Sequence, residues 1–419
     1  MVYKGFKYIP LEGAYELIKS SVRRAKREEV LVPEAYNRVL AEDIISEVNI
    51  PEYDVSHYDG YAVRAEDVAQ ASIDNPTLLK VVGQSFLGEE FEGEIKVGEA
   101  VYIFTGCRVP LGANAVIPVE QAKAKNGFIE VRRSVKPYEN IISAGSDVKK
   151  GEKLFSQGHV LRAQDMKFLL DIKKWKAKVF KKPVVAIISV GDELTDRIDE
   201  TDRKKLDSHN IMISHLIKEA GGIPLPLGIA TDDINDVKRL IIRGLEKADI
   251  VATIGGASVG GRDCCWEAAN RIGIPTAVIR GIKVQPGRVT SLIILDKPIV
   301  LLPGHVQSTL VGFCLLLLPL IRHMAGFSSP FSFTTLNARL SHKLSLKEFA
   351  SFKRVRFVKV TKVNSEYAAK PVLGDSSLTR IVVKANGFIV VPEGKKTIEE
   401  GEKVDVHLVN GLFPSLQTF

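Results

Sequence analysis

Apolar residues at Leu11, Ala14, Leu17, Ile18, Val22 and Ala25 fall at helical spacing, which predicts an amphipathic helix over 11–25. From about residue 43 to 147 the period shortens. Brief alternating runs are broken by turns such as LGEEFEGE, VPLGANA and AKNGF, and they predict a β-rich module. After a lysine-rich stretch the texture changes again. PVVAIISVGDEL is a continuous apolar run ending in a glycine and two acids, the pattern of a buried parallel strand feeding a loop. DSHNIMISHLIKEAGG reads as a helix capped by Asp207, with Ile211, Leu216, Ile217 and Ala220 inward and Gly221 at its end. IPLPLGIA is then a strand, DDINDVKRLIIRGLEKA a helix, and DIVATIGGASVGGRD a strand running into a glycine-rich loop. This alternation predicts a three-layer α/β domain with a parallel sheet, whose ligands sit beyond the carboxyl ends of the strands. The last segment alternates once more in FKRVRFVKVTKV, FIVVP and KVDVHLV, a small β barrel or sandwich.

Composition narrows the class without choosing a function. The 419 residues are too many for one ordinary domain, and 45% hydrophobic with 26% charged content is that of a folded globular protein. The four cysteines, Cys107, Cys264, Cys265 and Cys314, lack metal-ligand spacing, which suits a reduced intracellular chain. No apolar stretch of signal-peptide length opens the chain, so a cytoplasmic location is expected. The apolar run at 310–321 falls short of the ~20 residues that span a bilayer, so a buried helix is expected there and no membrane partner. A net charge of +8 allows an anionic ligand. The basic runs SVRRAKREE and KKWKAKVFKK lack interleaved aromatics and a recognition motif, so no nucleic-acid partner is expected.

Candidate chemistry gathers at the predicted strand ends. In Gly255-Gly256-Ala257-Ser258-Val259-Gly260-Gly261 successive glycines let backbone N–H groups approach a phosphate, and Ser258 adds a hydroxyl. The loop lacks the Lys-Ser/Thr ending of a P-loop, and a purely structural tight turn reads as well. Asp192, Glu193 and Asp263 lie at strand ends of the same sheet. Acids beside a phosphate loop suit a site bridged by Mg²⁺ or another divalent cation, a reading preferred over Asp192 and Asp263 as simple N-caps. GIKVQPGRVTS and LLPGHVQSTL each end an apolar strand in a Pro-Gly turn. They would bring Lys283, Arg288, Ser291, His305 and Ser308 to the same rim, a set of cations and hydroxyls suited to an oxyanion.

The ordered segments DVSHYDGYAVR, TGCRVPLGANAVIPVE, GSDVKKGEKLFSQG, SVGDEL, DSHN, GGASVGGRD, PGR, PGHVQS and GDSSLTRIVVKANGFIVVP resemble the MoeA/gephyrin-E family of molybdopterin molybdenumtransferases over nearly the whole chain. The resemblance implies an α/β molybdopterin-binding domain at 1–18 and 171–330 and a linking segment at 19–42 and 148–170. It also implies an inserted β-rich domain at 43–147 and a C-terminal β-barrel-like domain at 331–419. It implies a homodimer whose cleft is shared between subunits, and insertion of molybdate or tungstate into adenylylated molybdopterin with release of AMP. A molybdopterin adenylyltransferase is then a candidate partner, and a divalent cation, Mg²⁺ or another, a cofactor. Carried over by motif, the catalytic positions are Asp59, Thr105, Asp147, Glu193 and Asp263, with Glu193 and Asp263 holding the metal. The substrate-binding positions are Tyr61, Arg64, Gly255, Gly256, Ser258, Pro286, Arg288, Pro303, Ser308 and Arg354. The family's K-P-G-K-P stands here as Gln285-Pro286-Gly287-Arg288-Val289, its P-G-N-P-V-S as Pro303-Gly304-His305-Val306-Gln307-Ser308, and its G-A-D-A-V aspartate as Asn114. These departures leave a non-catalytic molybdopterin-binding or scaffold protein of the same family as the alternative to an enzyme.

Overall fold

The strands expected from the continuous apolar runs are present in the computed structural model, which describes residues 6–256, 263–346, 348 and 350–408. The chain divides into two units, one of Met1–Ala41, Gly158–Arg162 and Ala177–Phe419, the other of Glu42–Gln157 and Ala163–Lys176.

In the larger unit a six-stranded sheet runs in the order Ile223–Ala230, Val184–Val190, Ile250–Gly255, Pro298–Leu302, Ser291–Ile294, Ala277–Arg280. Its four central strands read as unbroken apolar runs because both faces are covered. Val185 and Ile187 point into one core with Ile213, Leu310 and Ile18. Ala186 and Ile188, one residue out of phase, point into the other with Val237, Ile241 and Ala268. The sheet is mixed, which corrects the expectation of a parallel one. Ser291–Ile294 lies antiparallel to both neighbours. Only Leu295, Asp296 and Lys297 separate it from Pro298–Leu302, too few for a crossover and enough for a hairpin.

Two helices also differ from the sequence reading. The first ends at Ser21 rather than 25. Val22 turns extended, and the N–H of Ala25 bonds to the carbonyl of Met324 at 2.8 Å instead of continuing the helix. In Ser208–Glu219 the inward place given to Ile211 belongs to Ile213; Ile211 is exposed, while the Asp207 carboxylate caps as expected, accepting from the N–H of Asn210 at 3.2 Å. The apolar segment forms a continuous helix from Val306 to Met324, and 83% of its apolar window is buried. Pro319 has no N–H to return to the preceding turn, and a π-type turn, Phe313–Leu317, stands just before it.

The C-terminal strands close into a barrel. Lys353–Val363 pairs with Glu366–Pro371 and with Gly387–Val391. Thr334–Leu340 pairs with Glu366–Pro371 and Lys403–Leu408, and the latter returns to Gly387–Val391. Val284–Gln285 adds to this barrel beside Lys353–Arg354, so the first Pro-Gly turn starts from a strand fixed against it.

The smaller unit holds a six-stranded sheet in the order Ala115–Pro118, Gly60–Val63, Glu99–Ile103, Thr77–Ser85, Phe128–Val131, Ala122–Lys125.

Candidate functional site

The rim of the larger unit is built by backbone first. Gly255 and Gly256 both take positive φ, 89° and 63°. A Cβ on Gly255 would stand 2.5 Å from the Val190 carbonyl oxygen, and one on Gly256 would stand 2.6 Å from Cys265 Sγ and 3.0 Å from Cys264 Sγ. The paired cysteines are thus the floor under these two glycines, their thiols donating to the carbonyls of Gly256 and Gly255, each at 3.4 Å. Ser258 lies outside the described residues.

The second Pro-Gly turn meets Gly255, and the first packs against the helix that follows the second. The Cβ position of Gly304 is 3.6 Å from the Gly255 Cα. That of Gly287, at φ 100°, is 3.4 Å from the carbonyl oxygen of Ser308, so Pro286 and Arg288 stand beside the helix that begins after Pro303 and His305. Pro286 and Pro303 are buried and Ser308 half-buried. Arg288 is half-buried, its carbonyl accepting from Ile282 at 3.0 Å.

Glu193 is exposed on the turn after Val184–Val190, its carbonyl accepting from Lys205. Asp263 is half-buried and N-caps Cys264–Asn270, its Oδ1 accepting from the Trp266 N–H at 3.1 Å. Burial raises its carboxyl above the ordinary value against that bond and the nearby Arg280 charge. Among the described residues no three His, Cys, Asp or Glu side chains gather as a metal cage.

A loop of the barrel reaches this rim. His305 Nδ1 is 3.0 Å from Ser376 Oγ, the Gln307 N–H donates to the Ser376 carbonyl at 3.1 Å, and Gln307 Nε2 donates to the Asp375 carbonyl at 2.6 Å. Between them lies a pocket of about 540 Å³, lined by Gln285, Pro286, Gln307, Lys343, Arg356, Asp375 and Ser376 among others. Burial pushes the Arg356 guanidinium down from its ordinary value. Sequence reasoning chose Arg354 and passed over Arg356, two residues on in FKRVRF. Arg354 is fully buried, and its guanidinium donates to the carbonyls of Leu346, Pro392 and Lys395. It braces the barrel from inside instead of facing a ligand. Ser376 lies within the segment GDSSLTRIVVKANGFIVVP but was not singled out there, and Lys343 carried no sequence signal that separated it from surface residues.

In the smaller unit three loops are laced together. The segment before Gly60–Val63 bonds to the next strand's exit through Ser56 N–H to Cys107 O at 2.9 Å and Gly106 N–H to Ser56 O at 2.8 Å. It bonds to the 140–148 loop through Ala144 N–H to Asp54 Oδ1 at 2.8 Å and Asp147 N–H to Ile50 O at 3.0 Å. Asp59 and Thr105, both exposed, meet directly. Asp59 Oδ1 accepts from the Thr105 N–H at 2.7 Å and its Oγ1 at 2.8 Å, which holds the carboxyl below its ordinary value. Asp147 is exposed on the neighbouring loop. Arg64 lies 3.7 Å from Asp67. Tyr61 is only 6% exposed and its ring packs edge-on against Tyr102 in the sheet core, so it supports the loop. Asn114 donates to Glu66 at 2.9 Å and accepts from the Ala65 N–H at 2.7 Å; a carboxylate at that position could make only the second bond.

Comparison with known proteins gives this arrangement its relatives. The MoeA N-terminal region (domains I and II) matches residues 9–172, the probable molybdopterin binding domain 186–323, and the MoeA C-terminal region (domain IV) 337–409. A Methanocaldococcus jannaschii chain assigned to molybdopterin biosynthesis is 31% identical, covering 96% of this chain and 98% of its own. The Bacillus subtilis molybdopterin molybdenumtransferase is 30% identical over 96% of this chain and 94% of its own. The crystal structure of the molybdopterin biosynthesis MoeA protein of Pyrococcus horikoshii superposes with a TM-score of 0.84 at 34% identity, covering 97% of this chain and 100% of that one. Rim, barrel and inserted sheet thus occur together in one architecture, and the chain belongs to the MoeA family.

Proposed function

We propose that this protein is a transferase of molybdenum cofactor biosynthesis that inserts molybdate, or tungstate, into adenylylated molybdopterin and releases AMP. The observation that carries the reading is the convergence at the sheet's carboxyl rim of Gly255, the Gly304 turn against it and the Gly287 turn against the following helix, closed by the Ser376 loop over a pocket with Lys343 and Arg356. Phosphoanhydride cleavage calls for positioning and charge neutralisation more than for a covalent nucleophile, and no triad is needed. The backbone at Gly255 and Gly256 serves the phosphates. Arg288, Ser308 and the pocket cations serve the oxyanion, with Pro286 and Pro303 fixing the turns. Asp59, Thr105, Asp147 and Arg64 belong to the other unit and enter the cleft from the second subunit of a homodimer.

By motif Glu193 and Asp263 would hold the Mg²⁺, in the mode of a hard cation that keeps several waters and takes its remaining ligands from substrate phosphates. When bound, the ion would neutralise charge on the leaving phosphate. Asp263 also caps its helix, so its clean test is Asp263→Asn, which keeps an N-cap oxygen and removes the charge. AMP release should fall by about a hundredfold with the fold intact; full turnover in the variant would refute the metal role.

Gln285, standing where the family has lysine, favours the second reading, a molybdopterin-binding scaffold that does not turn over. AMP release from adenylylated molybdopterin, measured with Mg²⁺ while molybdate and tungstate are titrated separately, decides between the two. Oxyanion-dependent release establishes the transferase; tight substrate binding without release leaves the scaffold.

A further inference from the structure

Arg280 ends the strand Ala277–Arg280. That strand is antiparallel to Ser291–Ile294, which is antiparallel to Pro298–Leu302, so Arg280 stands at the same rim as Gly255 and Pro303. Its guanidinium is held by two aromatic rings, with the carbon 4.4 Å from the Trp266 centroid and 5.2 Å from that of Phe6. Phe6 is brought there by the chain's first described residues, which bridge to the strand through the Lys7 N–H and the Arg280 carbonyl at 3.2 Å. Trp266 is brought there by the turn that Asp263 caps, through its N–H bond of 3.1 Å to that carboxylate.

Stacking satisfies the faces of a guanidinium and leaves its N–H edge unsatisfied. Nε is buried without a hydrogen-bond partner, and among the described residues no carboxylate lies within ion-pair distance of Arg280. Of the acids nearest this turn, Glu267 is engaged by Arg271 at 3.4 Å, and Asp263, which feels the Arg280 charge without pairing with it, accepts from the helix N–H. The cation is therefore held in place and half-buried, with its edge free of a hydrogen-bonded partner at Nε, on the same rim as Gly255 with two strands between them.

We infer that Arg280 binds a phosphate of the substrate through its guanidinium edge, with Trp266 and Phe6 orienting it. This rests on the reading of the rim as a nucleotide-phosphate site, and it adds a residue that the family motifs did not single out. A two-oxygen anion matches the planar fork, which an ammonium does not reproduce.

The test uses inorganic pyrophosphate as probe, titrated calorimetrically into the full chain at low salt, with Arg280→Lys, Arg280→Gln and Trp266→Leu beside the wild type. Arg280→Lys should weaken binding about tenfold and Arg280→Gln at least as much, the latter with a shallower salt dependence. Trp266→Leu should weaken it while leaving the charge in place. Urea midpoints equal to wild type for Arg280→Lys and Arg280→Gln keep the comparison free of unfolding. Wild-type affinity in Arg280→Gln, or no pyrophosphate binding by the wild type, overturns the inference. Wild-type AMP release is measured in parallel. If it is absent while pyrophosphate binding still depends on Arg280, the transferase reading fails and the phosphate site stands; if it is present while Arg280→Gln binds normally, the reverse holds.

Discussion

Gly60 follows Asp59 because nothing larger fits. A Cβ there would stand 2.1 Å from the Ile117 carbonyl oxygen, inside the pairing of Gly60 with Pro118 and Ile103 that presents Asp59 to Thr105. Gly60→Ala should destabilise the smaller unit by about 1–3 kcal/mol, read as a lowered urea midpoint, because the backbone must shift to admit the methyl group. Gly13 is the control. It lies in the helix Leu11–Ser21 with nothing within 4 Å of its Cβ position, and Gly13→Ala should stabilise by about 0.5–1 kcal/mol. An unchanged midpoint in the first, or a loss in the second, would sink this account of the glycines. The neighbouring Tyr61 shows what residue-level reading leaves out. Within a polar signature its hydroxyl looks like a ligand group, yet Gly60–Val63 is buried throughout, with Tyr61 in one core and Ala62 in the other. Arg354 misleads for a related reason, since a buried arginine bonded to carbonyls and one facing a ligand are the same letter.

Elements were legible wherever one local rule decided them. The helix Ile234–Lys247 has Val237, Leu240, Ile241 and Gly244 inward, and Asp233 before it accepts from the N–H groups of Asn235 and Asp236. Asp233→Ala should cost about 1 kcal/mol, while Asp233→Asn should be nearly neutral, both read from urea midpoints. Equal losses in the two variants would mean that the carboxylate's charge, not its acceptor oxygen, is what matters. Direction in the sheet was less legible. An apolar run predicts burial on both faces and says nothing of orientation, and here the short link 295–297 decided it. The end of the first helix was decided by a tertiary bond, Ala25 to Met324, that has no signature within 11–25. Likewise the 540 Å³ pocket draws on residues as distant as Gln285 and Ser376, a juxtaposition that only the closed barrel creates.

At the scale of the molecule, acid sensitivity should come from the larger unit. His209, His323 and His407 are held below the ordinary histidine value of 6.5, in each case chiefly by burial. The unfolded chain then binds more protons than the folded one near that value, so the stabilisation is fully present above 6.5 and is lost as pH falls below it. The urea midpoint should drop between about pH 7 and 5, and His407→Phe, which keeps a ring stacked on Phe388, should flatten that slope; an equal slope in the variant would remove His407 from the account. The assembly poses the larger question, because the candidate residues fall into two units: Asp59, Thr105 and Asp147 in one, Glu193, Asp263 and the Pro-Gly turns in the other. If each cleft draws one set from each subunit, Asp59→Ala and Glu193→Ala damage different halves of it. In a mixed dimer the cleft that takes Glu193 from the first chain and Asp59 from the second is whole, and its counterpart carries both lesions. Dimers purified through two different tags should then recover about half of the wild-type AMP release, although each parent is inactive. A cleft built within one chain predicts no recovery at all in the same folded dimers, and a chain that stays monomeric yields no doubly tagged species to assay.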